Sequence, residues 1–153
     1  MHLNIHDVQY PEEFARGIIS ESYMAGDMPD ASLFKEFKPN EEKPRNDGFW
    51  EISINWLDEV AALQLLLNLE NSKGEKTYKS GAAVFSTEAL ETLCRKSPTY
   101  KGYVDYERHK IPGNEYHGNI LMKEEYMLTK EKKKQRDMFA SAIIVSCYKF
   151  IRT

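Results

Sequence analysis

The segment from Phe49 to Trp56 constrains the fold more than any other part of this chain. Large apolar residues alternate along it with smaller or polar ones, which is the period of a strand with one buried face. We therefore expect this strand to lie inside a mostly antiparallel sheet whose apolar face is covered by helices. The apolar face would carry Trp50, Ile52, Ile54 and Trp56, and the other face would carry Phe49, Glu51, Ser53 and Asn55.

Further strand and helix patterns surround this strand. The leucines of residues 58–70 also fit strand alternation, but leucine and alanine are strong helix formers, which favours a helix with Asp58 as its N-cap. The fold class is therefore α+β, with two layers: a mostly antiparallel sheet covered on one face by helices, including a long C-terminal helix. The other predicted strands are Ser32–Phe37, Ser80–Phe85, Tyr103–Arg108 and Asn119–Met122, and the other predicted helices are Tyr10–Ile19, Ser86–Lys96 and Met138–Ile151.

The length of 153 residues fits a single domain. We divide the chain into an N-terminal helix and loop (1–30), an α+β core (31–122), and a basic segment followed by an apolar C-terminal helix (123–153). The segment Lys38–Gly48 is charged and contains two prolines, so it is predicted to be an exposed loop.

Composition and charge limit the cellular setting. A net charge of -3 argues against a general coat for nucleic acid or membranes. The N-terminus lacks the features of a signal peptide, and no apolar stretch reaches the roughly 18 residues that span a bilayer. Cys94 and Cys147 lie in apolar helical stripes, which predicts buried, reduced thiols and a cytoplasmic protein.

The segment Tyr103–Asn119 combines, around one turn, residues that could exchange protons, bind a metal or contact a partner. Its two histidines, His109 and His117, flank a type II turn predicted at Ile111–Asn114. In one interpretation the polar side chains only bond to the loop backbone and fix the turn. In others the histidines form an acid–base pair, or a mixed metal site with nearby carboxylates. The spacing matches neither H-E-x-x-H nor a zinc finger, so we predict no metal and no cofactor.

Two sets of candidate residues follow from this segment. A hydrolase or nuclease would use His117, with His109, as general acid or base, and Lys110 or Arg108 could steady a phosphate. An asparagine of the same segment could orient the ring or a substrate oxygen. The candidate contacts for binding are Asn114, Tyr116, Asn119 and, on the central strand, Phe49.

The predicted C-terminal helix is apolar nearly all round, which is typical of a helix in a core or at an interface. Before it, the basic run Lys130–Asp137 is expected to be a solvated helix start. Its lysines could contact phosphates, but no aromatic residue is interleaved for base stacking, so nucleic acid is not the favoured partner. A homodimer could instead form on the stripe of Phe139, Ile143, Cys147 and Phe150.

Short motifs from the middle of the chain occur in a distinctive order. They are Ser32-Leu33-Phe34, Phe37-Lys38-Pro39, Glu51-Ile52-Ser53-Ile54-Asn55, Gly81-Ala82-Ala83-Val84 and Asn114-Glu115-Tyr116-His117-Gly118-Asn119-Ile120. This series resembles a loose group of small bacterial proteins with an E-x-S-I-N strand and a late N-x-Y-H-x-x-I motif. The resemblance covers about residues 30–122. It implies a bacterial source, in a mobile-element or defence neighbourhood, and it implies no activity and no residue role.

The function favoured by these observations is a small non-enzymatic subunit or regulator that binds another protein or a second copy of itself. The sequence has no glycine-rich phosphate loop and no G-x-S-x-G nucleophile turn. The alternative is the hydrolase or nuclease that would use His117.

Overall fold

The computed structural model describes residues 4–35, 48–146 and 149–152. Six strands form an antiparallel sheet in the order β6-β7-β4-β1-β5-β8, and β2 and β3 form a separate two-stranded sheet. The strands are β1 (Glu13–Gly17), β2 (Met24–Ala25), β3 (Met28–Pro29), β4 (Phe49–Leu57), β5 (Ala82–Ser86), β6 (Val104–Arg108), β7 (His117–Lys123) and β8 (Lys149–Ile151). The helices are α1 (Val60–Asn68), α2 (Thr87–Glu91) with a π-helical turn (Thr92–Lys96), α3 (Glu125–Leu128), α4 (Lys130–Ser146) and 3-10 turns at Ile5–Asp7, Glu21–Tyr23 and Ala31–Phe34.

The prediction for the central strand is confirmed. β4 lies between β7 and β1 in the interior of the sheet. Ile54 is 2% exposed on the side of the helices, whereas Ser53, its neighbour on the opposite face, is exposed. The alternation therefore predicted both the strand and which of its two faces is buried by the helices.

The helical layer covers the predicted face. Ile52 and Ile54 belong to the same apolar core as Leu90 of α2 and Phe139 of α4. A second, smaller core lies on the opposite face, where Leu63 of α1 packs with the end of β4 and with neighbouring residues of β1 and β5. The α+β fold with a mostly antiparallel sheet and a long C-terminal helix is thus confirmed, and α1 additionally covers one end of the second face.

The predicted N-terminal helix Tyr10–Ile19 is wrong. This segment contains β1, which pairs with both β4 and β5. Phe14 and Ala15 point to opposite faces, and both are fully buried because both faces of the sheet are covered at this point. A strand buried on both faces loses the polar–apolar alternation that identifies strands in a sequence.

The C-terminal helix is present, but the predicted bounds Met138–Ile151 are wrong at both ends. α4 begins at Lys130, so the basic run and the apolar segment form one helix, and it ends at Ser146. Residues 149–151 form β8, which pairs with the edge of β5. The apolar run of the sequence continues from α4 into β8 with few polar interruptions, so composition alone could not separate the two elements.

Two local predictions are also wrong. Ser32–Phe37 does not begin as a strand, because the Asp30 side chain accepts a hydrogen bond from the Ser32 backbone N–H at 2.8 Å and caps a 3-10 turn. Asp58 does not cap α1, because its carboxylate binds Arg108 instead. The predicted loop Lys38–Gly48 lies, except for Gly48, outside the described residues.

The remaining element predictions are confirmed with small shifts in their bounds. The helix predicted within 58–70 is α1, and the helix that begins after Ser86 is α2 with its π-helical turn. The turn at Ile111–Asn114 closes with two backbone hydrogen bonds, and Gly113 has the expected positive φ of 81°. In the part of the chain that the structure describes, no helix has the length and apolar composition needed to cross a bilayer.

Candidate functional site

The sheet register brings the predicted site residues together with residues from other strands. β7 lies between β4 and β6, so Asn119 is the pairing partner of Ser53 on one side and of Glu107 on the other. Directly paired residues project from the same face of a sheet. We call the following set the polar face: Glu51, Ser53, Glu107, His109, His117 and Asn119.

His117 occupies a fixed position at the start of β7, with 9% of its surface exposed. Its Nδ1 lies 2.7 Å from the backbone carbonyl oxygen of His109, and its Nε2 lies 3.1 Å from the Ser53 hydroxyl oxygen. Because a carbonyl can only accept, Nδ1 carries the ring proton, so the neutral ring accepts at Nε2 from the Ser53 hydroxyl. Burial lowers the pKa of His117, which favours this neutral form.

His109 is exposed and lies beside His117, as expected for the segment. The two ring centroids are 6.0 Å apart, and the Asn119 side-chain nitrogen lies 3.5 Å from His109 Nδ1. The two histidines and Asn119 therefore share one surface. A cavity of about 770 Å³ between α2 and α4 and one of about 350 Å³ beside Phe49 are both lined by other residues.

Asn114 and Tyr116 are buried supports of the loop. The Asn114 side chain donates to Asn55 Oδ1 at 3.0 Å and accepts from the Tyr116 backbone N–H at 3.1 Å. The Tyr116 hydroxyl donates to Glu59, and this bond raises the pKa of Tyr116. Their exposed fractions of 4% and 8% leave little surface for a partner. For these two residues, the geometry matches the interpretation in which polar side chains fix the loop.

Arg108 does not join the histidines. Its guanidinium donates two hydrogen bonds to Asp58, at 2.7 and 2.5 Å, and lies 5.0 Å from the centre of the Trp56 ring. The hydrogen bond from Arg108 lowers the pKa of Asp58. Arg108 thus points to the helix side of the sheet, away from His117, so the prediction that it steadies a phosphate there is wrong.

Phe49 lies apart from the polar face residues around His117. It is half-buried at the start of β4 and lines the smaller cavity together with Arg95 and Asp105. Ser53 is four residues further along the strand, which corresponds to a separation of about 13 Å. Phe49 and His117 therefore do not belong to one compact site.

The residues predicted for a homodimer stripe are largely enclosed in their own fold. Phe139, Ile143 and Phe150 are at most 2% exposed, and Phe150 lies in β8 rather than on α4. The prediction that these residues form one interface stripe on a C-terminal helix is therefore wrong. Cys147, its fourth member, lies outside the described residues. Cys94 is buried, as predicted, and burial raises the pKa of its thiol.

The described residues contain no group of three or more histidine, cysteine, aspartate or glutamate side chains that could hold a metal ion. No protein-family model, curated protein or solved structure matches this chain. The geometry of the polar face is therefore the basis on which a function can be proposed.

Sequence reasoning did not select Ser53 as a site residue. Ser53 and His117 are 64 positions apart, and their contact follows from the pairing of β4 with β7. The strand alternation was the one sequence pattern that bore on Ser53, and it placed this residue on the solvent-exposed face of β4. Asn55 and Glu59, which hold Asn114 and Tyr116, were missed for the same reason.

Proposed function

We propose that this protein is a small non-enzymatic subunit or regulator that binds another protein through its polar face. The observation that carries the proposal is the position of Ser53 and His109, which are exposed beside the half-buried carboxylates Glu51 and Glu107. These groups present hydrogen-bond donors, acceptors and charge on β4, on β6 and on the residue that follows β6. A rigid surface of this kind loses little conformational entropy when a partner binds.

Burial of the neighbouring side chains supports the same proposal. His117 and Asn119 are 9% and 2% exposed, and His117 is bonded through both of its ring nitrogens. His117 and Asn119 hold the exposed Ser53 and His109 side chains in place through hydrogen bonds. The strand pairing spreads these groups across β4, β7 and β6, and such a broad arrangement suits a protein surface better than a small molecule, which usually binds in a concave pocket.

A matched pair of charge reversals tests this proposal. Glu107→Arg alters the polar face, and Glu88→Arg makes the same charge change at an exposed position of α2. Proteins retained from a lysate of the native host should be compared for the wild type and both variants by quantitative mass spectrometry. We expect a protein that is retained by the wild type and by Glu88→Arg but lost with Glu107→Arg. Identical retention by all three proteins, or no specific retention by the wild type, contradicts the proposal.

A second candidate function, hydrolysis, rests on the hydrogen bond between Ser53 and His117. A serine hydroxyl within reach of a histidine nitrogen, with the ring held by a third group, is the geometry of an activated nucleophile. In such a reaction His117 Nε2 would take the proton as the Ser53 oxygen attacks an acyl carbon. The same proton would then pass to the leaving group, and water would hydrolyse the acyl-enzyme.

A fluorophosphonate probe tests this second candidate, because it phosphonylates activated serines. We expect labelling of Ser53 in the wild type, and loss of labelling in both Ser53→Ala and His117→Gln. Ser141 provides a control, since it is an exposed serine that lies on α4 and not on the strands that carry Ser53 and His117. An absence of labelling at Ser53, or equal labelling at Ser53 and Ser141, contradicts the hydrolase candidate.

A further inference from the structure

The outer edge of β6 is the end of the six-stranded sheet, where backbone groups would otherwise be available to another strand. The Lys123 backbone N–H donates to the Tyr103 carbonyl at 2.8 Å, and the His109 backbone N–H donates to the His117 carbonyl at 2.9 Å. Because hydrogen-bonding direction alternates along a strand, residues 105 and 107 also face β7. The backbone groups of Val104, Tyr106 and Arg108 therefore point outward.

Three of these outward groups already have partners within the chain. The Val104 N–H donates to the Tyr100 carbonyl at 3.0 Å. The Tyr106 N–H donates to the Asp105 carboxylate at 2.9 Å, and the Tyr106 carbonyl accepts from the Arg95 guanidinium at 3.3 Å. Within the described residues, the middle of the edge is thus closed by two side chains rather than by another strand.

The π-helical turn places Arg95 against this edge. Its Nε donates to Asp105 at 3.0 Å, and its guanidinium carbon lies 4.1 Å from the centre of the Tyr106 ring. Glu91 accepts a further hydrogen bond from Arg95 at 3.3 Å and another from the Tyr106 hydroxyl. Arg95 and Asp105 therefore bind both to each other and to the two outward backbone groups of Tyr106.

We infer that Arg95 and Asp105 form an edge clamp that prevents β6 from pairing with β6 of a second copy of this chain. Self-pairing is the relevant alternative because an antiparallel β6 pair can be symmetric about Tyr106. In that arrangement Asp105 of one copy would lie opposite Glu107 of the other. Directly opposed like charges destabilise a strand pair, so Asp105 opposes self-pairing in two ways.

The edge clamp is accessible to solvent. The Arg95 and Asp105 side chains are 47% and 48% exposed, so their ion pair contributes little to folding stability by itself. Its removal should therefore leave the fold intact while it frees the Tyr106 backbone groups. This inference uses Glu107 of the polar face, but it does not depend on the function proposed for that face.

The double variant Arg95→Ala/Asp105→Ala tests the edge clamp without a change in net charge. Glu75→Ala/Lys79→Ala is the matched control, because it removes an exposed ion pair of the same net charge that lies away from β6. Light scattering gives the mass of each protein over a range of concentrations. We expect the edge variant to approach twice the wild-type mass at high concentration, while the control keeps the wild-type mass.

Hydrogen exchange at the Tyr106 amide shows whether association involves this edge. At low concentration the edge variant should exchange this amide faster than the wild type, because the Asp105 acceptor is gone. At high concentration the amide should become protected again through the new strand pair. Faster exchange without any increase in mass overturns the inference, and so does association without protection of Tyr106. If the double alanine variant fails to fold, Arg95→Met/Asp105→Ala removes the same hydrogen bonds and keeps a long side chain against the Tyr106 ring.

Discussion

Glu13 and Lys149 form an ion pair, and we expect the loss of the lysine to destabilise the fold more than the loss of the glutamate. The Lys149 ammonium donates to Glu13 Oε1 at 2.7 Å, and the Gln9 backbone N–H donates to Oε2 at 3.2 Å. The Glu13 side chain is 3% exposed, whereas the Lys149 side chain is 22% exposed. Water can thus reach the lysine but not the carboxylate.

The expected magnitudes follow from this difference. Lys149→Met leaves a buried carboxylate without its cation, which costs about 3 to 5 kcal/mol of the free energy of unfolding. Glu13→Gln keeps an acceptor for Gln9 and leaves Lys149 within reach of water, so it should cost about 1 to 2 kcal/mol. The double variant should be more stable than Lys149→Met alone, because no buried charge remains in it.

Urea unfolding followed by circular dichroism measures these differences. Lys79→Met is the matched control, since Lys79 and Glu75 are 61% and 54% exposed and their pair should contribute at most about 1 kcal/mol. The slope of the free energy against urea concentration should stay constant across the variants. The reasoning is refuted if Lys149→Met costs no more than Lys79→Met, or if Glu13→Gln costs more than Lys149→Met.

Three further predictions concern β4 and β7. Ile54→Asp should cost several kcal/mol and unfold the domain, whereas Ser53→Asp should be tolerated; equal urea midpoints for the two variants would refute this. Gly118→Ala should cost about 1 to 3 kcal/mol, because the new Cβ would lie 1.9 Å from the ring of Trp56; an unchanged melting temperature would contradict it. Burial lowers the pKa of His117 in the folded state, so the unfolded chain binds the proton first as the pH falls through about 6.5. Stability should therefore decrease over that interval, and His117→Gln should make this decrease smaller.

The alternation of apolar and polar residues predicted β4 but not β1, and the difference follows from their burial. β4 keeps its alternation because Ser53 faces water while Ile54 faces the core. β1 has no such contrast, since Phe14 and Ala15 are buried on opposite faces of the sheet. Without this alternation, Pro11, Glu12 and Glu13 at the start of β1 resembled the first turn of a helix. β8 was missed because only Ser141, Ser146 and Lys149 interrupt the apolar residues between Phe139 and Ile151, which gives no clear boundary between α4 and β8.

The site could be predicted only in part, because its contacts join distant segments. His109 and His117 were found together, since they lie on the two sides of one turn. The bond from His117 to Ser53 depends on which strand lies beside β7, and no local pattern carries that information. The same holds for Asn114, whose amide bonds to Asn55 from 59 positions away.

Ser53 is the position at which the two proposed functions make opposite predictions. Ser53→Ala removes the hydroxyl that a hydrolase needs, but it changes the shape and charge of the polar face very little. A protein that acts by binding should therefore retain its partner in this variant, whereas a serine hydrolase should lose all labelling and turnover. Glu107→Arg should have the reverse effect, because it leaves the hydrogen bond between Ser53 and His117 in place while it changes the charge beside it. Loss of partner retention and loss of fluorophosphonate labelling, measured in both variants, thus separate the two functions. If Ser53→Ala and Glu107→Arg abolish both properties together, a general disturbance of the sheet is the cause, and neither function is supported.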